Sequence, residues 1–412
     1  MRNDTLKFAR YDYASFGAFT MYSVCSLAIP LMIVSMGKSL NFPLDAGGMA
    51  SGGVLHAARS IFMVIALLLC GMISARIGKR ATMGFSIVFF GLGMLFCSLS
   101  SAYWMLFPCL IAAGFGEGIC EGIATPFVQD LHPDAPERYV NISHAFWSVG
   151  IFLAVVLVGG CITLGIHWRI ILAIVGALSL LASLGFLWKD NPAHPYPESK
   201  ERFDYRAFWE KTRKILGKKR FWLCSAGMFF GAGAEFGITF WAAAYIELTF
   251  KTSTFVAGLG TGMIALGMFL GRTFFGYIAR PERLRYILLF SGLATVPLMV
   301  LLALLRQGMM PGWLLFTVLF LLLFLVGIGI SPYWPTTQVY GVTHLPECDS
   351  TLLYVYFSTL GVPGCGIFSW LMGVVGDRFG LQGSILLAAV CVLIFCAVTF
   401  YGAWICKDKT EA

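Results

Sequence analysis

Twelve apolar runs of about 20 residues or more divide this chain from end to end, and each is long enough to cross the hydrocarbon core of a bilayer. They fall at roughly 11–37, 46–75, 81–101, 102–130, 138–165, 167–188, 220–250, 253–279, 284–306, 311–341, 350–376 and 380–406. A segment facing lipid must satisfy its backbone hydrogen bonds internally, so each run reads as a helical span. Of the 412 residues, 58% are hydrophobic and only 12% charged, against about 25% charged in soluble domains. Mean hydropathy is +0.80. The expectation is an all-α, multi-pass membrane protein. Residues 1–10 form a polar lead with no cleavage-site pattern, so no removable signal peptide is expected.

An even number of spans puts both termini on one side. That side collects Arg2, Lys7 and Arg10; Arg76, Lys79 and Arg80; Arg138; ten Lys and Arg between positions 189 and 220; Arg280, Arg283 and Arg285; and Lys407 and Lys409. The other side receives Lys38, Arg169, Lys251, Arg306 and Arg378. Lys and Arg accumulate in cytoplasmic loops, so both termini are expected in the cytoplasm. The expected location is the plasma membrane, a bacterial inner membrane. The net charge of +8 then reflects topology and contact with anionic lipid headgroups, with no reason to expect nucleic acid as a partner.

The fourth run carries two carboxylates, Glu117 and Glu121, between Gly114, Gly116, Gly118 and Gly122. Four residues apart, they share one helix face, and the glycines keep that helix thin enough for a neighbour or a ligand to approach. Ionisable groups in a span are costly and face a bundle interior or a watery cavity. Two ionised carboxylates so close would repel, which calls for a proton, a cation or water. Arg59 in span two is the candidate cation: Arg59 and Glu117 both lie about 18–20 Å below the outer end of their spans at 1.5 Å per residue. A purely structural ion pair is the competing reading.

Residues 189–219 form the long polar segment, with six spans before and six after. Within it Tyr205, Phe208, Trp209, Thr212, Ile215 and Leu216 recur at helical spacing among Lys211, Arg213 and Lys214, the pattern of an amphipathic helix on the cytoplasmic membrane surface. The expected division is an N-terminal bundle over 1–188, a linker over 189–219 and a C-terminal bundle over 220–412. A shift of 209 residues places Gly118 on Gly327, Pro126 on Pro335 and Gln129 on Gln338. Internal repeats of this kind build transporters with a solute site near mid-membrane between the halves. The same shift puts Glu117 opposite Val326 and Glu121 opposite Ile330, so the acids answer a need peculiar to one half.

At residues 71–80, Gly71, Arg76, Gly78, Lys79 and Arg80 resemble the cytoplasmic signature of the major facilitator superfamily, with Ala75 where that signature has Asp. Segments around Asn141 and His144, around Glu235, Trp241 and Tyr245, at Gly271 and Arg272, and at residues 329–335 resemble the fucose–galactose–glucose:proton symporter family. Two departures stand out: span one has no Asp or Asn where that family carries an acid, and span five lacks a Gly-Pro. The resemblance implies the major facilitator fold, with 12 transmembrane helices in two pseudo-symmetric six-helix bundles, and a gating role for residues 71–80. It also implies alternating access around a central site and raises a functional reading of His144.

Further polar residues lie within spans. Glu235 is near the middle of span seven, where a lone Glu marks function more often than decoration; it joins Glu117, Glu121 and Arg59 as a coupling candidate. Arg272 reads as an anchor and His56 as a packing residue. Span ten offers Tyr333, Trp334 and Gln338, with Pro332 and Pro335 freeing backbone carbonyls; span seven adds Trp241 and Tyr245, and span eleven Tyr354. With Asn141 and His144 these form the expected substrate lining, because aromatic faces suit sugar C–H groups while amides and carboxylates take hydroxyls. Packing of individual aromatics is the alternative.

The chain has 12 Cys scattered through its spans without metal-ligand spacing, so they read as small packing residues. No nucleophile elbow, phosphate loop or metalloprotease motif occurs, so no enzyme, cofactor or metal is expected. The expected function is H+-coupled symport of a monosaccharide or similar polar solute, with Na+ as the other ion to consider. Drug or organic-ion:proton antiport and a non-transporting sensor are the alternatives. The expected partners are the solute, the ion and membrane lipids, and the expected state is a monomer.

Overall fold

In the computed structural model, residues 7–133, 136–188, 195–197 and 205–405 are described. Spans one to six are Arg10–Ser39, Met49–Ile77, Lys79–Ser98, Leu106–Leu131, Pro136–Leu153 and Trp168–Leu187. The fifth continues through a π-helical turn, Ala154–Gly159, into Gly160–Thr163. Spans seven to nine are Lys219–Phe250, Thr254–Ile278 and Leu284–Leu304. Span ten is Gly312–Ile330 with Tyr333–Thr343, interrupted at Ser331 and Pro332. Among the described residues, eleven helices are long and apolar enough to cross a membrane. The last of these, Ser350–Ile405, is two spans, because Gly380 turns the chain at φ 73° and ψ 170°, a conformation open in practice to glycine. The result is the major facilitator fold, twelve spans in two six-helix bundles.

The expected span ends shift in two places. The run beginning at 102 becomes helical in a short turn, Tyr103–Met105, before span four. The run over 311–341 breaks because Pro335 has no N–H to bond the carbonyl of Ser331 one turn earlier. Spans two and four press backbone on backbone, as the glycines of span four foretell: a Cβ on Gly114 would lie 2.2 Å from the Arg59 carbonyl oxygen, and one on Gly118 2.2 Å from that of Met63.

The halves meet on the face opposite the linker, here the distal face. There a Cβ on Gly53 would lie 2.6 Å from the Cα of Trp370, and one on Gly373 2.4 Å from the Met49 carbonyl oxygen. His56 Nδ1 reaches Ser369 Oγ at 2.8 Å and stacks on Phe240 at 4.6 Å, which joins the halves by packing. Toward the linker, His144 and Tyr354, candidates for lining the cleft between the halves, are exposed.

The linker touches both bundles. Tyr196 is buried, stacks on Phe127 at 4.4 Å and donates to Asp130 Oδ2 at 2.9 Å. The amphipathic segment forms the helix Tyr205–Leu216, but its inner face docks on protein. Thr212 and Ile215 are buried, and Ile215 packs with Phe221, Leu353 and Phe357; the Thr212 hydroxyl meets that of Tyr356 at 2.6 Å. Lys211 pairs with Asp349 at 2.8 Å and Lys218 with Glu347 at 2.7 Å. The Lys218 ammonium, hydrogen-bonded to Glu347, holds that carboxyl below its ordinary range. Tyr205, Trp209 and Leu216 stay exposed on the other face. Because Arg206 is 90% exposed, an Arg206→Cys variant should react with an impermeant maleimide only from the cytoplasmic side; reaction from outside would reverse the expected orientation.

Candidate solute and coupling site

Each half holds an arginine–carboxylate pair with a buried carboxylate, its arginine on span two or on the corresponding span eight. In the N-terminal half, Arg59 Nε donates to Glu117 Oε2 at 2.7 Å, and a second guanidinium nitrogen takes Oε1. The third nitrogen reaches the Ser26 carbonyl at 3.4 Å. Arg59 is 5% exposed and Glu117 2%. Bidentate geometry satisfies both charges inside the bundle and engages both oxygens of Glu117.

In the C-terminal half, Arg272 of span eight donates to Glu235 Oε1 of span seven at 2.8 Å. Its Nε lies 3.4 Å from the Ser331 carbonyl, the acceptor that Pro335 leaves without its helical donor. Unlike Arg59, the Arg272 side chain is 40% exposed. Glu235 is buried. Arg272 is near enough to Glu121 and His144 of the opposite half to interact with them electrostatically. Read from sequence as an anchor, Arg272 does hold spans seven and ten through Glu235 and the Ser331 carbonyl, with a side chain that is partly exposed. The signal available for this pairing was its offset: Arg59 shifted by 209 falls at 268, one helical turn from Arg272 and on the same face.

Glu121 stands apart from Arg59. The Tyr22 hydroxyl approaches its Oε2 at 3.5 Å, and Trp147 packs edge-on against Tyr22 at 4.4 Å. Neither Tyr22 nor Trp147 was singled out from sequence, because an aromatic residue in an aromatic-rich chain carries no mark of its facing. On the same wall, His144 Nε2 and Thr125 Oγ1 lie 3.1 Å apart. Trp334 meets Phe236 at 5.7 Å, Gln338 Nε2 donates to Ser358 Oγ at 2.8 Å, and Tyr354 is 39% exposed. The Asn141 side chain lies outside the described residues.

Other candidates sit in packed protein. The Trp241 indole donates to the Ser369 carbonyl at 2.9 Å and the Tyr245 hydroxyl to the Leu302 carbonyl at 2.6 Å, both buried. Tyr333 is buried against Phe395 at 4.6 Å. In the signature segment, Gly78 links spans two and three at φ 83°. Lys79 pairs with Asp130 at 2.6 Å and Arg80 donates to the Phe186 carbonyl at 2.5 Å, both within the N-terminal half. Gly71 has open space around it, and Arg76 is exposed beside Ala75, which offers no carboxylate.

Residues 14–349 match the profile of the Major Facilitator Superfamily. The chain belongs to this superfamily. As a superfamily transporter it is 22% identical over 393 residues to the Bypass of stop codon protein 6 of Saccharomyces cerevisiae, covering 82% of this chain and 74% of that protein. It is 28% identical over 192 residues to the Multidrug resistance protein MdtL of Escherichia coli, 44% of this chain and about half (49%) of that protein's length. Among solved structures, a D-xylose-proton symporter superposes with a TM-score of 0.73 at 14% identity, over 95% of this chain and 97% of that one. The E. coli fucose:proton symporter FucP gives 0.65 at 17%, over 95% and 98%. A bacterial homologue of the human lysosomal transporter Spinster, in an inward-facing conformation, gives 0.71 at 16%, over 97% and 98%. These likenesses establish the shared fold.

Proposed function

We propose that this transporter moves a small, neutral, polar solute, a monosaccharide or a close relative, together with H+, by rocking its two halves around the cleft. The observation that carries the reading is Glu121 on one half, approached by the Tyr22 hydroxyl and within electrostatic reach of the Arg272–Glu235 pair on the other. With Arg272 neutralised by Glu235, Glu121 is the carboxylate left over, so the ionised cleft holds one negative charge that a proton cancels. A neutral solute then enters without a further charge to bury. Gln338, Trp334, Trp147 and His144 supply the amide, aromatic and imidazole groups that suit hydroxylated rings. The sugar:proton symporters that share the fold support this reading by analogy.

The same unmatched carboxylate favours a second reading. A lipophilic cation would neutralise Glu121 as a proton does, and exchange of the two would give drug:proton antiport, the direction in which the partial likeness to MdtL points. Thermal shift of the purified protein against neutral sugars, amino acids, organic anions and lipophilic cations separates the two. Stabilisation by a sugar, weakened in Gln338→Ala and Trp334→Ala but unchanged in Trp241→Ala, is the expected result. Stabilisation by lipophilic cations alone would replace symport with antiport.

A further inference from the structure

The seam that closes the distal face contains two helix N-termini, each hydrogen-bonded by a side chain from the opposite half. Span two begins after Gly48, which has no side chain with which to cap it. No larger residue fits there, since a Cβ would lie 2.1 Å from the Phe42 carbonyl oxygen. The first N–H groups of a helix lack partners within it. Here Met49 N donates to Asp377 Oδ1 at 2.9 Å and Ala50 N to Asp377 Oδ2 at 2.8 Å. Asp377 belongs to the other half, at the distal end of span eleven, and its charge suits the positive end of the span-two dipole.

Span eight repeats the arrangement in a weaker form. Its N-cap Ser253 accepts from Val256 N, while Phe255 N donates to Thr163 Oγ1 at 2.9 Å, across the seam at the distal end of span five. Spans two and eight are repeat partners, as are five and eleven, so the two junctions are pseudo-symmetric copies. One is ionic and made by two oxygens; the other is neutral and single. Rocking toward the distal-open state must break both, because capping side chain and capped helix ride on different halves.

We infer that these crossed caps are the distal gate, and that Asp377, which touches nothing in the cleft, is the residue that chiefly holds the halves closed there. The inference depends on the two halves rocking and is indifferent to solute and ion, so it stands or falls separately from the symport reading. The reporter is Ser60→Cys: Ser60 is 4% exposed, and its Cβ lies 2.8 Å from where a Cβ on Gly366 of span eleven would stand. It is shielded for as long as the distal face is shut. In nanodiscs, where both faces meet the reagent, the maleimide reaction rate at that cysteine is measured above the rate of the parent protein.

Asp377→Ala should raise the rate about tenfold or more, because hydrogen bonds to an ionised group are the strong ones. Asp377→Asn, which keeps the shape and one acceptor oxygen, should raise it less, and Thr163→Val about threefold, the scale of one neutral hydrogen bond. The Asp377 and Thr163 effects should multiply, since the junctions share no partner. Asn and Val are close in shape to the residues they replace, which keeps the test open should the Ala variant fold poorly. Unchanged rates in both Asp377 variants would overturn the inference, and a larger effect at Thr163 than at Asp377 would overturn the ranking.

Discussion

Arg59→Met is expected to destabilise the protein by about 3–5 kcal/mol, the scale for stranding one partner of a buried ion pair. The bidentate pair leaves both charges satisfied at 5% and 2% exposure, and Met restores the stem volume without the guanidinium. Glu117 would then face a low-dielectric interior with no donor in place of Arg59, and must be neutralised or rehydrated. Glu117→Gln should fail for the converse reason, leaving Arg59 charged and half-paired. An Arg59→Met, Glu117→Leu double variant should recover much of the loss, since a well-packed apolar pair often replaces a buried ion pair at little cost. Heat-unfolding midpoints in detergent, with the yield of monodisperse protein, decide the matter. Singles as stable as the parent would show that water or another group already reaches this pair, and Arg59–Glu117 would return as a coupling candidate.

Glu121→Gln should abolish accumulation of solute driven by a pH gradient while leaving exchange of labelled for unlabelled solute. Gln keeps the shape and one acceptor oxygen of the protonated acid and has no charge to titrate. Exchange needs no proton release, so it survives; accumulation needs the proton to leave on one face, so it does not. Both quantities are read in proteoliposomes with the solute found by the thermal-shift screen. Glu235→Gln is the paired measurement: its carboxylate holds Arg272, and freeing that guanidinium alters the charge of the cleft. If accumulation persists in Glu121→Gln and vanishes in Glu235→Gln, the coupling role belongs to span seven. Uptake that follows a sodium gradient and ignores pH would keep the site and change the ion.

The spans, their number and the placement of basic residues were legible in the sequence because transfer into hydrocarbon is nearly additive along a chain and needs no knowledge of neighbours. The meeting of Arg59 and Glu117 was legible for a similar reason, since helical rise alone puts them at one depth. The freed Ser331 carbonyl followed from Pro335 and its missing N–H.

Which groups face the cleft depended on the rotation of each helix about its axis, and that is decided by contacts between residues far apart in sequence. Trp241 and Tyr245 carry the composition of a sugar lining yet donate to the carbonyls of Ser369 and Leu302; nothing in their own segment names those acceptors. Arg272 lies toward the linker-side end of its span, but its long side chain turns to Glu235. Of two glutamates one turn apart, only Glu117 meets Arg59, while Glu121 is approached by the Tyr22 hydroxyl of span one. Asp377 reads from sequence as a loop residue, and only the docking of the two halves sets it on the open N-terminus of span two. Local chemistry determined the helices and their depth; long-range packing, which orients each helix against its neighbours, decided what the side chains do.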